Sequence, residues 1–229
     1  VTKRLLSQAA VGHAVNMSAT TGSPLSEQSI LATLGDSGDM AGATAVRLMM
    51  AAADAFSEKG FHATTTRDIA SRAGLSPAGV YVHFTSKEDL LFQLSRRGHQ
   101  TARDQLVAAA EATDSPTEAL RSIIAGFSTW HAEHHQLGRI VQYEFRHLTP
   151  EHRDAVLSLR KEIDQVVRGV LAEGVSRGEF EVADTSTTAL ALLSLAVDVA
   201  RWYSPEIRRT PEDIGRTNGE LAVRLVTRR

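Results

Sequence analysis

The chain has 229 residues, a formal net charge of −2 and no cysteine. Its length allows one large or two modest domains with real cores, while the missing cysteines exclude disulfides, thiolate catalysis and thiolate metal sites. The charge excludes a uniformly basic nucleic-acid binder but leaves room for a local basic face.

Residues 1–42 are rich in Ser, Thr, Gly and Ala and read as a flexible arm, with a short helix around "EQSILATL". Lys3 and Arg4 could add a minor-groove contact, although a disordered leader is the simpler reading. No apolar core of a signal peptide follows them. From Ala43 the pattern turns helical: Val46, Met49 or Met50, Ala53 and Phe56 recur at three- to four-residue spacing, and Gly60 stops the helix.

Two short pieces come next. Thr65 with Asp68 three residues on makes a capping box in which Asp replaces the usual Glu. Ile69, Ala70 and Ala73 form a narrow apolar stripe that Gly74 ends. Ser76 caps a second piece with Pro77 at its first position. Leu75, Val80 and Phe84 should point back to the first helix and hold the pieces at a steep angle. This is helix-turn-helix logic, with one piece across the phosphates and the other in the major groove. Because that groove is about 12 Å wide, a reading helix need be only a few turns long.

Further helices are predicted at 87–112, 116–135, 137–147, 150–177, 185–203 and 211–227, so the chain is all-α. The segment "ALALLSLAVDVA", 189–200, is the longest apolar run. It is shorter than the about 20 residues of a bilayer span, and Asp198 interrupts it. No membrane partner and a cytoplasmic location follow as expectations. In the helix 185–203, Leu190, Leu193 and Val197 form one stripe and Leu192, Leu195, Val199 and Trp202 another, so it should be buried on two sides. The last helix carries Ile214, Leu221 and Leu225, with Gly215 and Gly219 four apart; glycine inside a helix costs about 1 kcal/mol relative to alanine, which close backbone approach would offset.

The segment 60–91, "GFHATTTRDIASRAGLSPAGVYVHFTSKEDLL", closely resembles the DNA-binding part of TetR-type transcriptional repressors. The matches include Gly60-Phe61, Thr64-Thr65, Asp68-Ile69-Ala70, Ala73-Gly74, Ser76, Tyr81, His83-Phe84 and Ser86-Lys87-Glu88. The resemblance implies a helix-turn-helix domain at 43–92 and a ligand-binding and dimerisation domain at 93–229. It implies phosphate contacts from Thr65, Arg67, Tyr81 and Lys87, with Thr66 also among the DNA-binding residues. Ser76, Pro77, Ala78 and Gly79, with Val82 and His83, would face base edges. Phe84 reads as core, whereas Tyr81 and His83 admit both a structural and a DNA-contacting role. Lys87 stands at a helix start, where a cation opposes the dipole, and a nearby phosphate would account for it.

Gly79 departs from the Thr or Ser often found there, Ala78 is small, and Val82 replaces a polar or aromatic residue. Thymine methyl contacts or DNA shape should therefore carry more of the specificity. Between 41 and 98, seven Lys/Arg face five Asp/Glu, a modest excess that makes a dimer necessary to accumulate phosphate contacts.

The resemblance also implies a homodimer through the last two helices, with Leu192, Leu195, Val199, Trp202, Ile214, Gly215, Gly219 and Leu221 in its interface, on a near-palindromic double-stranded DNA operator. Helices from 116 to 177 would enclose a small-molecule inducer. Phe127, Trp130, Val141, Tyr143, Val197 and Trp202 could line the pocket, with core packing the alternative for each. His134 and Glu144 would join them.

"YEFRHLTPEHRDAVLSLR" and "ARWYSPE" are similar to an acyl-CoA-responsive subgroup of the family, of lipid or sterol catabolism. Arg139, Arg146, Arg153, Arg160 and Arg201 are candidates for the CoA phosphates, or else partners of Glu144, Glu151, Glu162 and Asp198. A different hydrophobic ligand such as a drug is the alternative. No cofactor is expected. His131, Glu133, His134 and His135 have helical spacing suited to zinc, but no third ligand is assured, so no metal is expected. A helical-bundle metalloenzyme and an adaptor with a remnant helix-turn-helix are the rival classes; the paired Glu-x-x-His pattern of di-iron bundles is missing.

Overall fold

The computed structural model describes residues 40–227. The predicted arm, its short helix and the Lys3-Arg4 pair lie outside the described residues. Every named element is a helix: α1 Met40–Ala63, α2 Thr66–Arg72, α3 Pro77–Tyr81, α4 Lys87–Glu111, α5 Pro116–Glu133, α6 His135–Tyr143, a 3-10 turn Phe145–His147, α7 Pro150–Ser176, α8 Thr185–Val197, α9 Val199–Trp202 and α10 Pro211–Val226. The expected all-α architecture is what the described residues adopt. No described helix is long and apolar enough to cross a membrane.

The helix starts follow from local chemistry. Ser76, Ser86, Ser115, Thr149, Asp184 and Thr210 each accept a backbone amide from the first turn they precede, satisfying donors that a helix start leaves orphaned. Gly60 ends the regular part of α1 at φ 75°, a left-handed conformation costly for other residues.

Two large apolar clusters and a small third one, Ala132, Val199, Tyr203 and Ile214, organise the described residues. The first joins Leu48, Met49, Ile69, Val80, Phe84 and Leu90 from α1–α4 to Trp130, Leu137, Ile140 and Val156 from α5–α7. The apolar interior of the helix-turn-helix head thus continues past residue 92 into the helices behind it. The second gathers Ile123, Ile124, Val167, Leu171, Leu192 and Ala222 from α5, α7, α8 and α10.

Three expectations need correction. The predicted 137–147 helix stops at Tyr143 and gives way to the 3-10 turn, and α5 breaks at His134 (φ −108°, ψ 32°), whose ring stacks on Trp130 at 4.7 Å. The predicted 185–203 helix is divided at Asp198 into α8 and α9. The close approach of Gly215 and Gly219 is made within the subunit: a Cβ would stand 2.0 Å from Thr129 Oγ1 at Gly215 and 2.7 Å from the Arg121 carbonyl at Gly219.

Those two glycines let α10 lie directly on α5, where Asn218 Nδ2 also donates to Ser128 Oγ at 3.0 Å in a buried pair. Ile214, Leu192 and Val199 are likewise buried in the subunit's own core. Of the residues expected at a dimer face, Trp202 and Leu221 present exposed apolar surface, and Leu225 of the same last helix is 68% exposed.

Candidate DNA-contacting surface and ligand cavity

The head is built from two capped short helices. Thr65 Oγ1 accepts the Asp68 amide at 3.1 Å, while Asp68 Oδ2 accepts the Thr65 amide at 2.9 Å and its hydroxyl at 2.7 Å. With Lys59 Nζ also donating to Asp68 Oδ1 at 3.1 Å, the carboxyl is held well below the usual carboxylate range, chiefly by the Thr65 hydroxyl. The turn passes through Gly74 at φ 67°, and Ser76 Oγ accepts the Gly79 amide at 3.2 Å. Val80 and Phe84 are buried against α1, which leaves the opposite side of α3 and the turn after it open: Tyr81 and Val82 are 57% and 79% exposed.

Thr65, Arg67, Ser76, Pro77 and Ala78 are exposed, and Thr66, Gly79 and His83 are partly covered. Helix α3 ends at Tyr81, so Val82 and His83 stand on the turn that follows. The Tyr81 hydroxyl lies 3.3 Å from Thr66 Oγ1, tying α3 to the start of α2.

Lys87 has partners inside the chain. Its ammonium donates to the carbonyls of Phe61 at 2.5 Å and Thr64 at 2.7 Å and sits 4.3 Å above the Phe61 ring. Although it begins α4, it closes the carbonyl end of α1, where a cation is favourable. Burial lowers its pKa. The carbonyls at the end of α1 thus give the cation partners at a helix start.

A cavity of about 540 Å³ opens among α4, α5, α6, α7 and α8. Of the expected lining residues, Phe127, Trp130, Val141, Tyr143, Arg160 and Val197 surround it. Its polar end is a chain of fixed groups. His99 Nδ1 donates to the Ser95 carbonyl at 2.7 Å, and its Nε2 accepts from Arg160 Nε at 3.1 Å. The Arg160 guanidinium lies 4.3 Å over Phe145, and burial lowers its pKa.

His131 donates Nδ1–H to the Phe127 carbonyl at 2.8 Å, leaving Nε2 as an acceptor. Burial brings both imidazoles to about 4, Arg160 adding to the effect at His99, so both are neutral at pH 7. An apolar chamber whose wall carries one guanidinium, two neutral rings and the Asp164 carboxylate suits a largely hydrophobic molecule with an acceptor group placed at Arg160.

The other expected ligand residues lie elsewhere, each for a visible reason. His134 is buried against Trp130, its Nδ1 on the Trp130 carbonyl at 3.0 Å. Glu144 Oε1 takes the Phe61 amide at 3.4 Å, and its Oε2 is 3.2 Å from His147. Arg146 donates to His147, and Arg201 pairs with Asp198 at 2.6 Å. Arg139 closes the end of α9 by donating to the carbonyls of Ala200, Arg201 and Tyr203. Trp202 is 43% exposed on α9, outside the cavity wall.

His131, His134 and His135 each turn Nδ1 to a carbonyl of their own helix or turn. Among the described residues no group of three or more His, Asp or Glu could hold a metal ion. Sequence reasoning missed Gly98, His99, Gln142 and Asp164 in the wall. The interior glycine of α4 was the one signal that could have pointed there.

Head and cavity are mechanically continuous. Glu144 and His147 follow directly on the cavity helix α6, and the His147 ring stacks on Phe61 of α1 at 5.0 Å. Nearby, Glu88 Oε1 accepts from the Thr149 amide and from His152 Nδ1, both at 2.9 Å, while His152 stacks on Phe92 at 3.8 Å.

Comparison with known proteins agrees with this arrangement. A model described as "Bacterial regulatory proteins, tetR family" matches residues 48–94, and one described as "Tetracyclin repressor-like, C-terminal domain" matches 113–226. The chain is 32% identical over 163 residues to the HTH-type transcriptional repressor KstR2 of Rhodococcus jostii, spanning 69% of this chain and 78% of that protein. It is 25% identical to the fatty acid metabolism regulator protein of Bacillus subtilis, over 59% of this chain and 70% of that one. Among solved structures, a tetR-family regulatory protein from Rhodococcus RHA1 superposes with a TM-score of 0.76 at 35% identity, covering 80% of this chain and 97% of its own.

Proposed function

The chain belongs to the TetR family of bacterial regulatory proteins, and from that premise we propose that it is a cytoplasmic repressor, a homodimer that releases its operator when a small apolar ligand fills the cavity. The observation that carries this reading is the continuity of the 540 Å³ cavity with the head, through α6 and the Glu144–Phe61 contact on one side and α4 on the other. A ligand that stabilises one packing of α6 against α4 changes the spacing of the two heads, and only a difference in affinity between two such states can move the equilibrium.

The dimer face is the exposed apolar surface of Trp202, Leu221 and Leu225. Two-fold symmetry then sets two α3 surfaces one helical turn of DNA apart on a near-palindromic site. Thr65, Arg67, Tyr81 and Lys87 approach phosphates, and Ser76–Gly79 with Val82 and His83 approach base edges.

The inducer is an acyl-CoA thioester of lipid catabolism. Supporting this are the apolar walls of the cavity, the Arg160 guanidinium, which can donate to a thioester carbonyl, and the likeness to a fatty acid metabolism regulator. The test is an operator shift assay on the promoter of the protein's own gene, titrated with acyl-CoAs of two to eighteen carbons. A concentration-dependent release by one length class is expected. Binding to that operator with no release by any acyl-CoA would remove the ligand class, and absence of operator binding would remove the repressor reading.

A further inference from the structure

Gly98 lies inside the regular helix α4, where glycine costs about 1 kcal/mol relative to alanine. No positive φ requires it. The other buried glycines among the described residues are explained by packing: Gly138, Gly174, Gly215 and Gly219 each have an atom within 3 Å of where a Cβ would stand. Gly98 is buried too, yet nothing lies within 4 Å of that position. Gly126 and Gly169 are equally open, but they are exposed to solvent. Neither conformation nor intrachain packing therefore accounts for Gly98. What it faces is the cavity, beside His99 and Ala102.

We propose that the bare backbone at Gly98 is the seat of the effector: an apolar segment of the ligand lies directly on α4 there, in space that a side chain would fill. This rests on reading the cavity as the effector site. Contact at Gly98 places the ligand against the helix that enters the head. Eleven residues earlier the same helix begins with Lys87, whose ammonium holds the end of α1, and then Glu88, which holds the start of α7. The acceptor end of the ligand is aimed at Arg160, whose Nε already bonds His99, the next residue along α4. The effector class is an alkyl chain or flat ring system ending in a thioester carbonyl, carboxylate or sulfonate. A ligand seated this way stiffens or displaces α4 by direct contact with its backbone.

The test compares the full chain with its Gly98→Ala and Gly98→Leu variants, using 1-anilinonaphthalene-8-sulfonate and decanoyl-CoA as probes. Thermal melting is expected to rise in Gly98→Ala, because a helix-breaking residue is replaced where there is room. Affinity for the probes should fall at least about fivefold in Gly98→Ala and further in Gly98→Leu. A merely structural glycine would move both readouts down together or leave probe affinity alone. Gly98→Ala with raised melting and unchanged probe affinity would overturn the proposal, as would failure of both probes to enter the wild-type cavity. If the sulfonate binds in a Gly98-dependent way and decanoyl-CoA does not, the acyl-CoA reading fails while the seat at Gly98 stands.

Discussion

Glu144 Oε1 accepts the backbone amide of Phe61 at 3.4 Å across 83 positions of sequence, and its other oxygen faces the His147 ring that stacks on the same phenylalanine. A cavity helix is thereby fastened to the last turn of α1, next to the two short helices of the head. Replacing Glu144 by alanine leaves a partly buried amide without its acceptor, which should cost about 1–2 kcal/mol of stability. It should also weaken the ligand's effect on operator affinity more than it weakens operator binding itself. Denaturant titration and operator shift assays with and without inducer measure the two effects.

Lys87 gives a sharper separation. Lys87→Met removes the cation that closes the carbonyl end of α1, and a loss of about 1–2 kcal/mol is expected in chemical denaturation. If the ammonium also meets a phosphate, the slope of log affinity against log salt falls by about 1 per subunit as well. An unchanged slope with lowered stability would assign Lys87 to the fold alone.

Val82, 79% exposed, has little to do for stability. Val82→Ala should leave the melting temperature within a degree or so of wild type and weaken operator binding by about 1 kcal/mol, the scale of a lost apolar contact with a thymine methyl. Replacing the contacted thymine by uracil should reproduce the loss and make the Val82→Ala effect vanish.

Acid should destabilise the protein before its carboxylates titrate. Burial holds the imidazoles of His99 and His131 near 4 in the folded chain. Unfolded, they bind protons near pH 6.5. Between those values the unfolded state binds more protons, so stability is fully present above about pH 6.5 and is lost as pH falls toward 4. For His131 alone the change approaches about 3 kcal/mol. A His131→Phe variant that keeps its fold should show a flatter stability profile between pH 4.5 and 7.

Gly215→Ala and Leu225→Arg should fail in different ways. The first drives a methyl into Thr129 and the Ala125 carbonyl of the same subunit, so a fold destabilised by at least about 1–3 kcal/mol is expected. The second places charge on an exposed apolar site and should leave the melting of the isolated subunit intact while raising the dimer dissociation constant. Analytical ultracentrifugation with calorimetry distinguishes them; intact dimerisation in Leu225→Arg would move the interface elsewhere.

How much of this was legible in the sequence depended on range. Thr65 with Asp68 and Ser76 with Pro77 act within one helical turn, and their residue types carry the geometry directly. Gly215 and Gly219 announced a close approach but not what approaches; α5, about ninety residues earlier, is the partner rather than a second subunit. The doubly apolar 185–203 segment has this explanation only in part: Leu192 and Val199 are buried in the subunit's core and Leu193 and Val197 line the cavity, while Leu190, beside them, and Trp202 stay exposed. His99 is an ordinary polar residue in one dimension and Arg160 one of several candidate cations, and only the packing of α4 on α7 makes them a pair. Arg139 read as a phosphate or carboxylate partner and Lys87 as a DNA-phosphate contact because the carbonyls they close are contributed by distant helix ends.

The apolar interior running from Ile69 to Val156 bears on how such regulators change their targets. A head cut out at residue 92 would leave behind Trp130, Leu137 and Ile140, which help to cover its underside. Wholesale exchange of heads between distant relatives would therefore strand mismatched surfaces. Under the proposed reading, retargeting to new promoters is easiest by point changes at Ala78 on α3 and Val82 on the turn after it, which are exposed and carry little of the core.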